Sequence, residues 1–278
     1  MVRRKPAAEA GVCQRAAPWR GQGRKPRAAK ARLGGAAVAQ PDGPAGRVFV
    51  ALDFADLKRA RECAAELRPT GVRFKVGLEL FCRTGPEGLR ALLPVTGPVF
   101  LDLKLHDIPR TVAGAVRAAA AVGVWGLTVH ALGGEAMLRA AVEAAGAADR
   151  PPRCLAVTAL TSLDEAALAA VGVAAPMRAH VSSLAHLAQA AGCDGVVASP
   201  EEAAVVRGVG GPSFLVVTPG VRPAGVDQGD QARVATPTAA VAAGADYLVI
   251  GRPVTAAADP LAALRAVLAE LEAAERAR

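Results

Sequence analysis

From Arg47 onward, short apolar runs alternate with Ala-rich stretches of helical character. The runs fall at residues 48–53, 72–76, 98–103, 124–130, 154–158, 194–198, 214–217 and 246–250, and each is followed by a segment long enough for a helix. Alternation of that kind predicts repeated βα units and a parallel sheet. Eight units in roughly 230 residues fit a closed (β/α)8 TIM barrel, whose usual size is about 250 residues. An open doubly wound sheet is the alternative, and it would more often carry a Gly-rich fingerprint after its first strand. The chain reads Leu52-Asp53-Phe54-Ala55-Asp56 there, without glycine, so the barrel is preferred.

The third run breaks its own apolar pattern. Residues 99–111, Val-Phe-Leu-Asp-Leu-Lys-Leu-His-Asp-Ile-Pro-Arg-Thr, put Asp102 and Lys104 inside a strand and Asp107 just past it. Alternate side chains of an extended segment share a face, so Asp102 and Lys104 point one way and Leu101, Leu103 and Leu105 the other. With the leucines packed on helices, the charges are aimed into the barrel interior or a cleft, where an unpaired charge is costly. They form a structural ion pair, or they carry chemistry, or both. Asp107, two residues before Pro109, reads equally well as a carboxylate at a helix start and as a functional group.

Barrel active sites lie at the C-terminal ends of the strands, and polar residues close nearly every strand here. Strand one ends at Asp53, strand two carries Lys75, strand four ends at His130, and strand five runs into Thr158-Ala-Leu-Thr161-Ser162. Strand seven opens into Thr218-Pro-Gly-Val-Arg222-Pro, and strand eight ends at Gly251-Arg252-Pro253. Each alone could be a cap or a salt bridge, but their convergence on one rim favours a site. The loops after strands seven and eight commonly hold a phosphate, which suits the Gly251 backbone and the planar donors of Arg252. The connection 218–236, with Gly225, Gly229 and Gln231, is long enough for a lid or a ligand grip. His130 reads as a hydrogen-bonded wall of the site and His106 as an orienting group, while His180 and His186 read as solvated. No pair of histidines has zinc-binding spacing.

Charge separates the barrel from what precedes it. Residues 1–46 hold ten Lys and Arg against Glu9 and Asp42, which accounts for the whole net charge of +8 and leaves residues 47–278 neutral. The basic character therefore gives no reason to expect nucleic-acid binding by the body. Residues 1–46 read as a disordered Arg/Ala-rich extension. Its composition fits a transit peptide, a polyanion-binding arm or a start assigned too far upstream. Five cysteines without Cys-x-x-Cys spacing fit a reducing cytoplasm and argue against a zinc site or a disulfide framework. No apolar run reaches the length of a membrane span without a charge or a glycine.

Taken in series, Leu52-Asp53, Lys75-Val-Gly, Asp102-Leu-Lys104-Leu-His-Asp107-Ile-Pro, Thr218-Pro-Gly-Val-Arg222-Pro, Gly229-Asp-Gln231 and Gly244-Ala-Asp-Tyr-Leu-Val-Ile-Gly251-Arg252-Pro closely resemble the orotidine 5′-phosphate decarboxylase family. The resemblance runs from about Val48 to the last helix and does not reach the extension. It implies decarboxylation of orotidine 5′-phosphate to uridine 5′-phosphate, the last step of de novo pyrimidine synthesis, without metal or organic cofactor. Lys104 would face C6 and deliver its proton, Asp102 would sit beside the departing carboxylate, and Asp53 and Lys75 would contact the ribose. Arg222, Gln231, Gly251 and Arg252 would hold the phosphate end, and Thr161, with Ser162 as the alternative, the base. By the same resemblance Asp107 and Thr111 reach across from a partner subunit, which makes the active unit a homodimer. The rival reading is a magnesium-dependent sugar-phosphate decarboxylase or aldolase on the same scaffold, which has a carboxylate where this chain has Lys75. A further rival is a non-catalytic phosphate-binding barrel.

Overall fold

All eight apolar runs are strands in the computed structural model of the chain, which describes residues 41, 43–223 and 235–276. They are β1 (Val48–Ala51), β2 (Arg73–Gly77), β3 (Phe100–Leu105), β4 (Gly126–His130), β5 (Arg153–Val157), β6 (Gly195–Val197), β7 (Leu215–Thr218) and β8 (Tyr247–Ile250). Each pairs in parallel with its neighbours in chain order, and β1 closes on β8 through Val48 opposite Leu248. The result is the closed (β/α)8 barrel, with strand limits within a few residues of those read from the pattern. The chain enters through a helical turn, α1 (Gly43–Gly46), that packs against β1. Its Gly46 carbonyl accepts from Arg73 Nε at 3.1 Å, so the packed body takes in residues that the charge boundary at 46 had given to the extension. Residues 1–40 lie outside the described residues.

Helices follow from apolar faces and from their ends. Asp56 caps α2 (Leu57–Leu67) by accepting from the Arg59 N–H at 3.0 Å. α3 (Leu78–Thr96) is broken at Gly85, where φ is +62°, a region open to glycine. Pro109 opens α4 (Pro109–Val122) at a position where its missing N–H is not needed, and Gly123 ends it at φ 91°. The remaining large helices, α5 (Gly134–Gly146), α6 (Glu165–Ala170), α7 (Met177–Ala190), α8 (Ala203–Gly210) and α9 (Pro237–Ala242), are followed by the short α10 (Arg252–Thr255) and by α11 (Pro260–Arg276). Leucines, valines and alanines of these helices meet the outward faces of the strands in the main core, where Leu101, Leu103 and Leu105 also lie.

A second core fills the barrel itself. At its N-terminal end Phe49 packs against Phe100, Trp125 and Tyr247 at ring separations of 5.3, 4.8 and 5.4 Å, and the Arg153 guanidinium covers the indole at 4.7 Å. The bottom of the barrel is thus closed by aromatic rings, which leaves only the C-terminal end for a cavity. Trp125→Ala should destabilise the fold by about 3–5 kcal/mol, read as a lower denaturant midpoint with an unchanged slope.

Candidate active site

The cavity, of about 480 Å³, opens at the C-terminal ends of the strands. Its floor is apolar, made by Ala51, Phe100, Val157, Val197 and Val249 from five different strands. Four charged groups from β1, β2 and β3 stand above that floor. Leu52 and Asp53 follow β1, and the Leu52 N–H still bonds the Lys75 carbonyl at 2.9 Å, which holds Asp53 beside β2. Lys75 Nζ lies 3.0 and 3.2 Å from the two Asp53 oxygens and 3.7 Å from Asp102 Oδ2. Lys104 Nζ lies 2.9 Å from the same Asp102 oxygen. The order in space is therefore Asp53, Lys75, Asp102, Lys104, with signs alternating.

Gly77 makes room for this array. A Cβ there would come within 2.5 Å of Asp53 Oδ1 and 3.0 Å of Lys75 Nζ, so any side chain would displace the pair. β3 contributes two neighbouring charges through a bulge. Its register with β4 moves from Leu101 opposite Leu127 to Leu105 opposite Val129, and Lys104 sits at φ 51°, the only left-handed non-glycine among the described residues. Simple strand alternation put Asp102 and Lys104 on one face, and their charged ends meet at 2.9 Å where the strand is bulged.

The electrostatics follow from this packing. Burial by itself would push the Asp102 carboxyl up. Lys75 and Lys104, with hydrogen bonds from Lys104 and Thr128, outweigh it and hold the carboxyl below its ordinary value. Asp102 is ionised at neutral pH. The pocket is a place where negative charge is fixed between two cations.

The other sequence-predicted residues divide into three groups. Thr161, Ser162, Arg222, Gly251 and Arg252 all line the cavity with Asp53, Lys75, Asp102 and Lys104. Thr161 is half-buried and Ser162 exposed, and Arg222 is buried with its Nε unpartnered among the described residues. A Cβ on Gly251 would meet only Ala51 Cβ, at an ordinary 3.6 Å, so crowding within the protein does not demand that glycine. Asp107 and Thr111 are exposed and are not among the residues lining this cavity. Nor does Asp107 cap α4, since the cap position is Ile108; its carboxylate instead accepts from the Ile108 N–H at 2.6 Å. Gln231, with Gly225 and Gly229, lies outside the described residues.

His130 differs from expectation. His130 and His106 stack on each other, ring centres 5.2 Å apart, and neither lines the cavity. His130 Nδ1 accepts from the Leu132 N–H, and burial first, then His106, Lys104 and His180, lower its affinity for a proton. It is a neutral ring at the rim and not a wall of the site. Thr128, by contrast, gave no functional signal in the sequence, where a threonine in an apolar strand reads as a simple β-former.

This geometry has clear relatives. Residues 46–267 match the model of the orotidine 5′-phosphate decarboxylase / HUMPS family. The chain belongs to that family. Orotidine 5′-phosphate decarboxylase of Halorhodospira halophila is 58% identical over 228 residues, 82% of this chain and 97% of that protein. The protein of that name from Thermobifida fusca is 56% identical over 226 residues, 81% of this chain and 95% of its own length. Among solved structures, orotidine 5′-phosphate decarboxylase from Lactobacillus acidophilus superposes with a TM-score of 0.72 at 37% identity, covering 84% of this chain and 99% of that one.

The Asp102 geometry has a consequence for acid stability. Its folded-state pKa lies below the ordinary 3.8, so its contribution is complete above that value and is lost as pH falls through the lower folded value. Urea unfolding of the wild type and Asp102→Asn between about pH 6 and pH 2.5 should show a stability gap that narrows in the acid range. A gap independent of pH would contradict the assignment.

Proposed function

We propose that this barrel decarboxylates orotidine 5′-phosphate to uridine 5′-phosphate and CO2, completing the uridine nucleotide of de novo pyrimidine synthesis. The observation that carries the reading is the alternating Asp53, Lys75, Asp102, Lys104 array above the apolar floor of a cavity closed to one side, in a chain 58% identical to a protein of that name. Loss of CO2 from C6 of the pyrimidine leaves a carbanion without an ordinary electron sink. Charge must be stabilised where it forms, by groups already in place. Lys104 is the cation and proton donor, and Asp102, 2.9 Å from its ammonium, aims it. Asp102 also stands where the substrate carboxylate would lie, so departure of that carboxylate relieves repulsion.

One charge pair at about 4 Å contributes about 4 kcal/mol at an effective dielectric of 20, whereas enzymes lower barriers by about 8–23 kcal/mol. Binding energy from the rest of the nucleotide has to make up the difference. Arg252, the Gly251 backbone and Gln231 take the phosphate, and Arg222 acts in the gripping loop. Thr161, or Ser162, meets the base, and Asp53 and Lys75 meet the ribose hydroxyls.

No metal enters this scheme. The space between Asp53 and Asp102 is filled by the Lys75 ammonium, which pairs with both and repels a divalent cation, so these residues do not fit the magnesium site of the sugar-phosphate rival. No organic cofactor is needed either. The active unit is a homodimer in which each copy lends Asp107 and Thr111 to the cavity of the other. The exposure of both residues, beside Ile108 at 66% and Leu132 at 51%, supports that reading. The catalytic domain is the barrel, residues 47–278 with the entering turn, working in the cytoplasm without nucleic acid or membrane. Among the described residues no helix is long and apolar enough to cross a membrane.

The direct test is the loss of orotidine 5′-phosphate absorbance on adding protein lacking residues 1–40, in EDTA. Turnover equal to that of the full chain is expected, and Lys104→Ala should reduce it by at least about 10²–10⁴-fold while the fold survives. Substantial turnover in Lys104→Ala would remove the role given to that residue. Arg252→Ala should act on binding, raising KM more than it lowers kcat; a normal KM would contradict the phosphate assignment.

A further inference from the structure

Thr128, on β4, is fully buried and is not among the residues lining the cavity. Its hydroxyl nevertheless touches the Asp102 carboxylate and the Lys104 backbone. It donates to Asp102 Oδ1 at 3.0 Å and accepts from the Lys104 backbone N–H at 2.8 Å. The directions are fixed by chemistry, because an ionised carboxylate can only accept and an amide N–H can only donate. The two Asp102 oxygens are thereby divided: Oδ1 belongs to Thr128, and Oδ2 faces Lys104 and Lys75 at 2.9 and 3.7 Å.

The second bond matters for the backbone. At the β3 bulge the ladder to β4 is interrupted, and Lys104 adopts φ 51°, which L-residues rarely occupy. Its N–H would lose a ladder partner there, and the Thr128 hydroxyl takes that place. One buried oxygen therefore fixes the carboxylate that orients the Lys104 ammonium and the backbone from which that ammonium extends. We propose that Thr128 is a positioning residue for decarboxylation, its hydroxyl locking Asp102 and the left-handed Lys104 into the single geometry that delivers the ammonium to the reacting carbon. This rests on the decarboxylase reading above.

Thr128→Val keeps the side-chain volume and removes the hydroxyl, whereas Thr128→Ser keeps the hydroxyl and removes the methyl. With orotidine 5′-phosphate as substrate, Thr128→Val should lose about ten- to a hundredfold in kcat, the scale of a hydrogen bond to a charged group, with KM within about threefold of wild type. The acid limb of its kcat/KM profile should move to higher pH, because Asp102 loses a donor that favours its ionised form. Thr128→Ser should recover kcat to within about threefold of wild type. Amide hydrogen exchange at Lys104 reads the same geometry without substrate, and should be faster in Thr128→Val and near wild type in Thr128→Ser.

Wild-type kcat in Thr128→Val would overturn the proposal. So would a Thr128→Ser variant as slow as Thr128→Val, which would assign the effect to packing of the methyl, or a loss explained entirely by a lower folded fraction in thermal unfolding. A wild-type protein that leaves orotidine 5′-phosphate unchanged would instead overturn the decarboxylase reading, and the exchange at Lys104 would then decide whether Thr128 holds this backbone.

Discussion

A carboxylate almost out of water, within 4 Å of two ammonium groups, is stable only if both cations stay where they are. Removing either would leave charge buried without a counterpart, and letting either swing away would do the same. Much of the upper barrel serves that requirement for Asp102. β2 presents Lys75 from one side, with its charge shared by Asp53, and the absent side chain of Gly77 leaves the pair room to meet. β3 presents Lys104 from the other side by departing from regular strand geometry. Each member of the array satisfies the next.

The barrel separates this polar construction from the interactions that hold the fold together. Rings of Phe49, Phe100, Trp125 and Tyr247 fill its N-terminal end, and the helices cover its outside with aliphatic side chains. Neither set needs the charged groups, so the C-terminal end can keep groups that a fold selected for stability alone would replace with apolar ones. Phe100 joins the two regions. It is part of the aromatic cluster below and lines the cavity above, which puts the apolar floor of the site directly on the barrel core.

Such a floor bears on chemistry as well as packing. Valines and a phenylalanine beneath the charges exclude water from one side, so the charge interactions above them are less screened than at an open surface. The open side of the cavity is where a ligand would complete the enclosure. Arg222 and Arg252 line the same cavity as the four-charge array, which joins groups suited to holding a phosphate to groups suited to stabilising charge on a ring.

The order of apolar runs determined the strands, their parallel pairing and the barrel, because a βα alternation of eight units has few other ways to bury its apolar faces. The motifs determined the family, and nine of the residues picked out at the strand ends line one cavity, since strand ends converge on one rim whenever such a barrel closes. What the tertiary structure alone decided were relations between strands. Thr128 is an ordinary threonine until the β3 bulge turns the Lys104 N–H and the Asp102 carboxylate toward it. Gly77 is an ordinary strand-end glycine until Asp53 arrives from β1. His130 closes a strand as the site residues do, yet it stacks on His106 at the rim, because the path of the chain after β4 decides where that ring packs. Periodicity along a chain specifies which face a side chain takes, but contact across neighbouring strands depends on register and on local breaks in it, which no single strand encodes.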